Sequence, residues 1–175
     1  MVECNIILGR FQPWTKGHEK ILEELYEQNN LKTLILLIDS NKKDEKHPFT
    51  TDLSETIIKE SCKDIKDKFL DVVRIKGGDF GKMFVLLNEL GFIPKLWGCG
   101  TDRFNVYKKF CENIEYRKKY FVTSEAYEIR RCDDDISATK VRNSIVSKDL
   151  ETFKEMMNDN CWKYFGQLQR QMLND

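Results

Sequence analysis

Nowhere does this chain stay apolar for the roughly 20 residues that a membrane-crossing helix requires. Its N-terminus also lacks a basic start followed by a long apolar segment, so neither a membrane span nor a secretory signal is expected. A charge of one sign is missing too. The 29 basic residues balance 29 acidic ones, which argues against holding nucleic acid on a broad basic surface. Histidine is scarce, at two residues, and the six cysteines are dispersed with no C-x-x-C pair. A Cys/His metal site is therefore not expected, and the cysteines read as reduced thiols of a cytoplasmic protein.

What remains is an ordinary globular composition, 41% hydrophobic over 175 residues. It fits one domain spanning 1–175, with 146–175 as a helical C-terminal extension. Apolar runs alternate with helical patterns. Ile6–Leu8, Leu34–Ile38, Leu70–Ile75, Lys95–Cys99 and Tyr120–Val122 read as strands. Gly17–Gln28, Thr51–Asp64, Phe80–Leu90, Asp102–Cys111 and Thr139–Val146 read as helices. The continuous apolar run at Leu34–Ile38 is typical of a strand covered on both faces. Repeated β–α alternation with short connections predicts an α/β fold, a Rossmann-like doubly wound parallel sheet of about five strands with C-terminal helices.

Gly9-Arg10-Phe11-Gln12-Pro13-Trp14-Thr15-Lys16-Gly17-His18 leaves the first strand and opens a helix. A loop of this kind turns backbone N–H groups toward an anion at a helix N-terminus. Thr15 and His18 stand where they could bind charged phosphate oxygens, and Gly17 permits close backbone approach. The plain alternative is a tight strand-to-helix turn with His18 as a cap. A second segment, Ile136-Ser137-Ala138-Thr139-Lys140-Val141-Arg142, opens another helix. Ser137 alone could be a simple N-cap there, and Arg142 alone a surface arginine.

The first segment resembles the (H/T)xGH signature of the nucleotidyltransferase superfamily, and the G-R-F-Q-P start is similar to that of archaeal-type nicotinamide mononucleotide adenylyltransferases. The second resembles that superfamily's ISSTxxR signature, in the matching order. The resemblance implies transfer of AMP from ATP to a phosphorylated acceptor without a covalent intermediate. His18 and Thr15 would then hydrogen-bond the α-phosphate, and Arg142 would grip the departing pyrophosphate as a planar fork. Gly9, Arg10, Phe11, Lys16, Gly17, Ile136, Ser137 and Thr139 would complete the ATP site. Mg²⁺ is implied by triphosphate chemistry, although no dedicated carboxylate ligand can be named. Asp133-Asp134-Asp135 reads as a solvated acidic loop.

The acceptor side is carried by fewer residues. His47-Pro48-Phe49-Thr50 resembles the N-P-F-T segment of the archaeal-type enzymes, but the arginine that follows there has no counterpart in Thr51–Lys59. Trp97 could stack on a pyridine ring, with Asp102 reading a polar edge and Arg103 or Arg10 supplying a cation for the acceptor phosphate. Gly100-Thr101-Asp102-Arg103 and the S-A-T-K-x-R form of the second signature also look like nucleotidyltransferase-like proteins of large bacteriophages, which would place the chain in a host cytoplasm. The expected acceptor is nicotinamide mononucleotide, giving NAD. The partners are then small molecules, with no nucleic acid and no membrane, and a homo-oligomer stays open. A cytidylyltransferase is the alternative, yet Arg131–Ser137 lacks the R-T-x-G-I-S-T form of that class. A non-catalytic nucleotide-binding module is the other, opposed by the retention of His18, Ser137, Thr139 and Arg142 together.

Overall fold

A computed structural model describes residues 1–130 and 136–173. Five parallel strands form one sheet: β1 (Val2–Gly9), β2 (Thr33–Asp39), β3 (Phe69–Lys76), β4 (Phe92–Cys99) and β5 (Glu125–Glu128), in the order β3-β2-β1-β4-β5. The connections are helical: α1 (Lys16–Asn29), α2 (Thr51–Ser61), α3 (Phe80–Glu89), α4 (Thr101–Glu112) and α5 (Ile114–Lys119). Helices α6 (Ala138–Val146), α7 (Leu150–Met156) and α8 (Phe165–Leu173) follow β5. This is the α/β, Rossmann-like architecture that the alternating pattern predicts.

Alternation along the strands explains the two layers. In β1, Ile6 faces one core and Ile7 the other; in β2, Leu34 and Leu36 oppose Ile35 and Leu37. One core is closed by Leu22 and Leu25 of α1, Ile57 and Ile58 of α2, and Val141, Ile145 and Phe153 from the C-terminal helices. The other is closed by Met83, Phe84 and Leu87 of α3 with Tyr107 and Cys111 of α4. Both sheet faces are thus covered, which is why Leu34–Ile38 of β2 is apolar without interruption. Among the described residues no helix is long and apolar enough to cross a membrane.

The fifth strand differs from expectation. Tyr120–Val122 is not a strand: Tyr120 ends α5, Phe121 adopts a left-handed φ of 58°, and Val122 is buried against the second core. The true β5 begins at Glu125, five residues after the expected start. It is short and lies at the sheet's edge, paired with β4 alone; only Ala126 and Tyr127 pack on the two cores, and Glu125 is exposed. Gly91, at φ 85°, makes the left-handed turn after α3, and its carbonyl accepts from Val2 N–H at 2.7 Å.

Candidate functional site

The sheet order reverses between β1 and β4, since β2 and β3 lie to one side of β1 and β4 and β5 to the other. In open α/β sheets the crevice beyond the strands' carboxyl ends at such a point is where ligands bind. A cleft of about 760 Å³ opens there, lined by residues that follow β1, β2, β3 and β4 and by the start of α6.

The loop after β1 is built around His18. This residue is the third of α1, and its Nδ1 accepts the backbone N–H of Thr15 at 2.9 Å, an imidazole serving where a capping box usually has Glu or Gln. The Thr15 hydroxyl is 3.1 Å from the same nitrogen. With Nδ1 accepting, the neutral ring carries its proton on Nε2. Trp14 stacks on the imidazole, with centroids 5.0 Å apart, and Phe11 meets its edge at 5.2 Å.

Two long-range contacts bring the sequence-distant motifs together. Arg142 donates from Nη1 to the carbonyl of Gln12 at 2.7 Å, and from Nη2 to the Thr139 hydroxyl at 3.2 Å. A Cβ on Gly17 would stand 3.4 Å from the Ile136 carbonyl and 3.3 Å from Thr15 Oγ1, so the glycine lets the two loops press together. Gln12 also ties the loop to the segment before α2: its side chain accepts from Phe49 N–H at 2.8 Å and donates to Phe49 O at 3.1 Å and to Ser54 Oγ at 3.3 Å.

Of the residues expected at the site, Gly9, Arg10, Phe11, His18, Arg103, Thr139 and Arg142 line the cleft. The others take different places. Thr15 is buried and its hydroxyl faces His18, so it orients the imidazole and does not itself border the opening. Gly17 and Ile136 form the loop contact just described. Ser137 caps α6, accepting from Lys140 N–H at 3.1 Å. Lys16, the first residue of α1, and Asp102, exposed in the first turn of α4, are not among the lining residues.

Trp97 requires a correction. It is wholly buried, flat against Tyr107 at 3.8 Å and edge-on to Phe80 and Phe84, and its indole N–H is buried without a partner among the described residues. A pyridine ring cannot reach it. Strand β4 turns this residue toward the α3–α4 layer, and the phenyl and phenol rings that do reach the cleft are those of Phe11, Phe80 and Tyr107.

Lys46, Phe80 and Tyr107 also line the cleft with no sequence signal of their own, and His47 enters the sequence reading only within the His47-Pro48-Phe49-Thr50 segment that Lys46 adjoins. The arginine absent from α2 has a spatial neighbour in Arg74 of β3. That side chain reaches α2, but it donates to Asp52 at 2.7 Å and Glu55 at 2.9 Å.

The lining is electrostatically one-sided. Arg10, Lys46, Arg103, Arg142 and the two histidines border it, and no described Asp or Glu does. Burial draws the Arg142 pKa down and the charge of Asp44 pulls it up, yet an arginine stays cationic in either case. A divalent ion finds no carboxylate cage in this lining, and no group of three His, Cys, Asp or Glu side chains is gathered among the described residues. Asp133–Asp135 and Cys132 lie outside the described residues.

No protein-family model matches the chain, and no curated protein matches it. Solved structures do. The nicotinic acid mononucleotide adenylyltransferase of Plasmodium falciparum, complexed with NaAD, superposes with a TM-score of 0.65 at 18% identity, covering 99% of each chain. Thermotoga maritima TmcAL bound with alpha-thio ATP gives 0.64 at 12% identity, over 95% of this chain and 56% of that one. A bifunctional NMN adenylyltransferase/ADP ribose pyrophosphatase from Francisella tularensis gives 0.64 at 16%, over 98% of this chain and 53% of that one. The chain therefore spans little more than half the length of two of these proteins. The Francisella protein has also been solved with AMP and a Mn ion. At such identities the likeness establishes the fold.

Proposed function

We propose that this protein is an adenylyltransferase that moves AMP from ATP to a phosphorylated acceptor, with nicotinamide mononucleotide as acceptor and NAD and pyrophosphate as products. The reading is carried by the meeting of the two motif segments: Arg142 bonded to the Gln12 carbonyl, with His18 on the same cation-lined cleft. It gains support from a fold shared with adenylyltransferases of nicotinate and nicotinamide mononucleotides.

The chemistry asks for placement and charge stabilisation more than for a nucleophile of the protein's own. An acceptor phosphate oxygen attacks the α-phosphorus of ATP in line, and the bond from that phosphorus to the bridging oxygen of the β-phosphate breaks. Negative charge grows on the α-phosphate oxygens and on the leaving pyrophosphate. His18, held at Nδ1 by Thr15, donates from Nε2 to the α-phosphate. Arg142 and Thr139 take the pyrophosphate at the start of α6. Arg10 and Arg103 are the cations left for the acceptor phosphate, and Phe80 and Tyr107 offer the apolar surface for its base. A divalent ion such as Mg²⁺, carried in with the triphosphate, would screen its charge; among the described residues the lining supplies no carboxylate to hold it.

Release of pyrophosphate, measured with ATP or CTP against a panel of phosphorylated acceptors, tests the proposal. ATP with nicotinamide mononucleotide should give the highest rate. Turnover with CTP and not ATP overturns the adenylyl assignment. Turnover of ATP with another acceptor alone overturns the acceptor.

A further inference from the structure

The chain has only two histidines, and both border the same cleft. The signature motif accounts for His18. His47 comes from the loop between β2 and α2, and its ring is fixed. Nδ1 lies 2.9 Å from Oδ1 and 3.2 Å from Oδ2 of Asp44. The same Oδ1 accepts the backbone N–H groups of Lys46, at 2.9 Å, and His47, at 2.8 Å, and the main chains of residues 44 and 47 pair as an isolated bridge. A carboxylate only accepts, so Nδ1 bears a hydrogen, and Nε2 is the ring atom left to meet a ligand.

The turn's surroundings give that nitrogen its purpose. Lys46 borders the cleft beside it. Two residues further on, Phe49 is clamped by Gln12, whose carbonyl holds Arg142. Asp44 is close enough for its charge to act on Arg142. The turn itself needs only the Asp44 carboxylate and the backbone N–H groups of residues 46 and 47, which any residue but proline would supply. An imidazole there, bordering a cleft whose described lining holds four cations and no carboxylate, is explained by a polyanion that sits against it.

We propose that His47, aimed by Asp44, is a second phosphate-binding imidazole that holds the terminal phosphates of the bound triphosphate alongside Arg142. In the complex Nε2–H donates to a phosphate oxygen while Asp44 holds the opposite edge of the ring at Nδ1. Sharing the cleft with the ring are Arg10 and His18 from the β1–α1 segment, Arg103 from α4 and Arg142 from α6, with Lys46 and the ring's partner Asp44 on its own turn. The proposal rests on the nucleotidyl-transfer reading and deepens it by placing the leaving pyrophosphate.

Calorimetric titration of the full chain with ATP, AMP and inorganic triphosphate tests it, using wild type, His47→Ala, His47→Lys and Asp44→Asn. Loss of one charged hydrogen bond at a half-exposed position should weaken ATP and inorganic triphosphate by roughly tenfold in His47→Ala, with AMP unchanged. His47→Lys should recover most of the loss, which also shows that the loop still folds, and Asp44→Asn should fall between. Equal ATP affinity in wild type and His47→Ala overturns the proposal, as does an equal loss for ATP and AMP, which marks support of the loop. A wild-type protein that binds none of the three ligands sinks the nucleotidyl-transfer reading along with it, whereas ATP binding indifferent to His47 sinks this inference alone.

Discussion

The backbone N–H of Thr15 donates to Nδ1 of His18 at 2.9 Å, and this one bond decides which edge of the imidazole carries the proton. Replacement of His18 by alanine removes a donor aimed at developing charge and also a helix-capping partner. The rate of the chemical step should fall about a hundredfold, the effect of losing one preorganised donor worth roughly 3 kcal/mol. Stability should drop by only about 1 kcal/mol, the usual cost of a lost cap. Single-turnover kinetics with a parallel melting curve checks both, and near-normal turnover removes His18 from the mechanism.

Arg142→Lys keeps the charge and loses the fork that reaches Gln12 and Thr139 at once. Affinity for ATP should fall about tenfold, a charged hydrogen bond being worth roughly 1.5–3 kcal/mol. Affinity for the isolated acceptor should hardly change. Calorimetry with each ligand separately distinguishes this from a surface role, which would leave both untouched.

Trp97→Ala is expected to damage the fold and not the acceptor KM in particular. The side chain is fully enclosed by Tyr107, Phe80 and Phe84, and truncating a buried tryptophan costs about 3–5 kcal/mol. Denaturant unfolding measures the loss. A stable variant with a raised acceptor KM would return Trp97 to the binding surface.

Gln12→Leu retains bulk while leaving Phe49 N–H and C=O without the partners that hold them at 2.8 and 3.1 Å. Orphaning buried backbone groups costs about 1–3 kcal/mol. The midpoint of urea unfolding should fall accordingly, and an unchanged midpoint would mean that water replaces the carboxamide.

Glu19 follows His18 on α1, and burial pushes its carboxyl pKa up to about 6. The Asn158 hydrogen bond and Lys16 oppose the shift; Asp64 and Glu23 add to it. An acid whose pKa is raised on folding holds more protons folded than unfolded between the two values, so stability falls as pH rises through that window. Glu19→Gln can still accept the Asn158 bond and has no charge to bury. Its melting temperature should therefore gain on wild type from about pH 4.5 to 6 and keep that gain at higher pH. Parallel curves would show that Glu19 ionises without cost.

The sheet was legible in the sequence because four strands are apolar enough to be covered by helices and are bounded by Gly, Pro or caps. The fifth was misplaced because Tyr120–Val122 has the composition of a strand, whereas Glu125–Glu128, at the edge, does not. The motif residues on loops were legible by type, but their tasks were divided in ways that spacing does not encode. Thr15 and Ser137 spend their hydroxyls or backbone on helix starts, while His18, Thr139 and Arg142 reach the cleft. The burial of Trp97 depends on which face of β4 looks at α4, which follows from register with β1 and β5. Lys46 and His47 reach the cleft only because Gln12 staples their loop to the first one, a pairing across 37 residues of sequence.

The one-sided lining also acts before anything binds. A chain whose charges sum to zero, with four permanent cations collected in one opening, must be net acidic over the remainder of its surface. Phosphorylated solutes are drawn in at this edge, so capture should be fast at low ionic strength and slow as salt shortens the reach of the field. Inorganic phosphate or sulfate in a buffer should compete for the same opening and register as an apparent loss of substrate affinity.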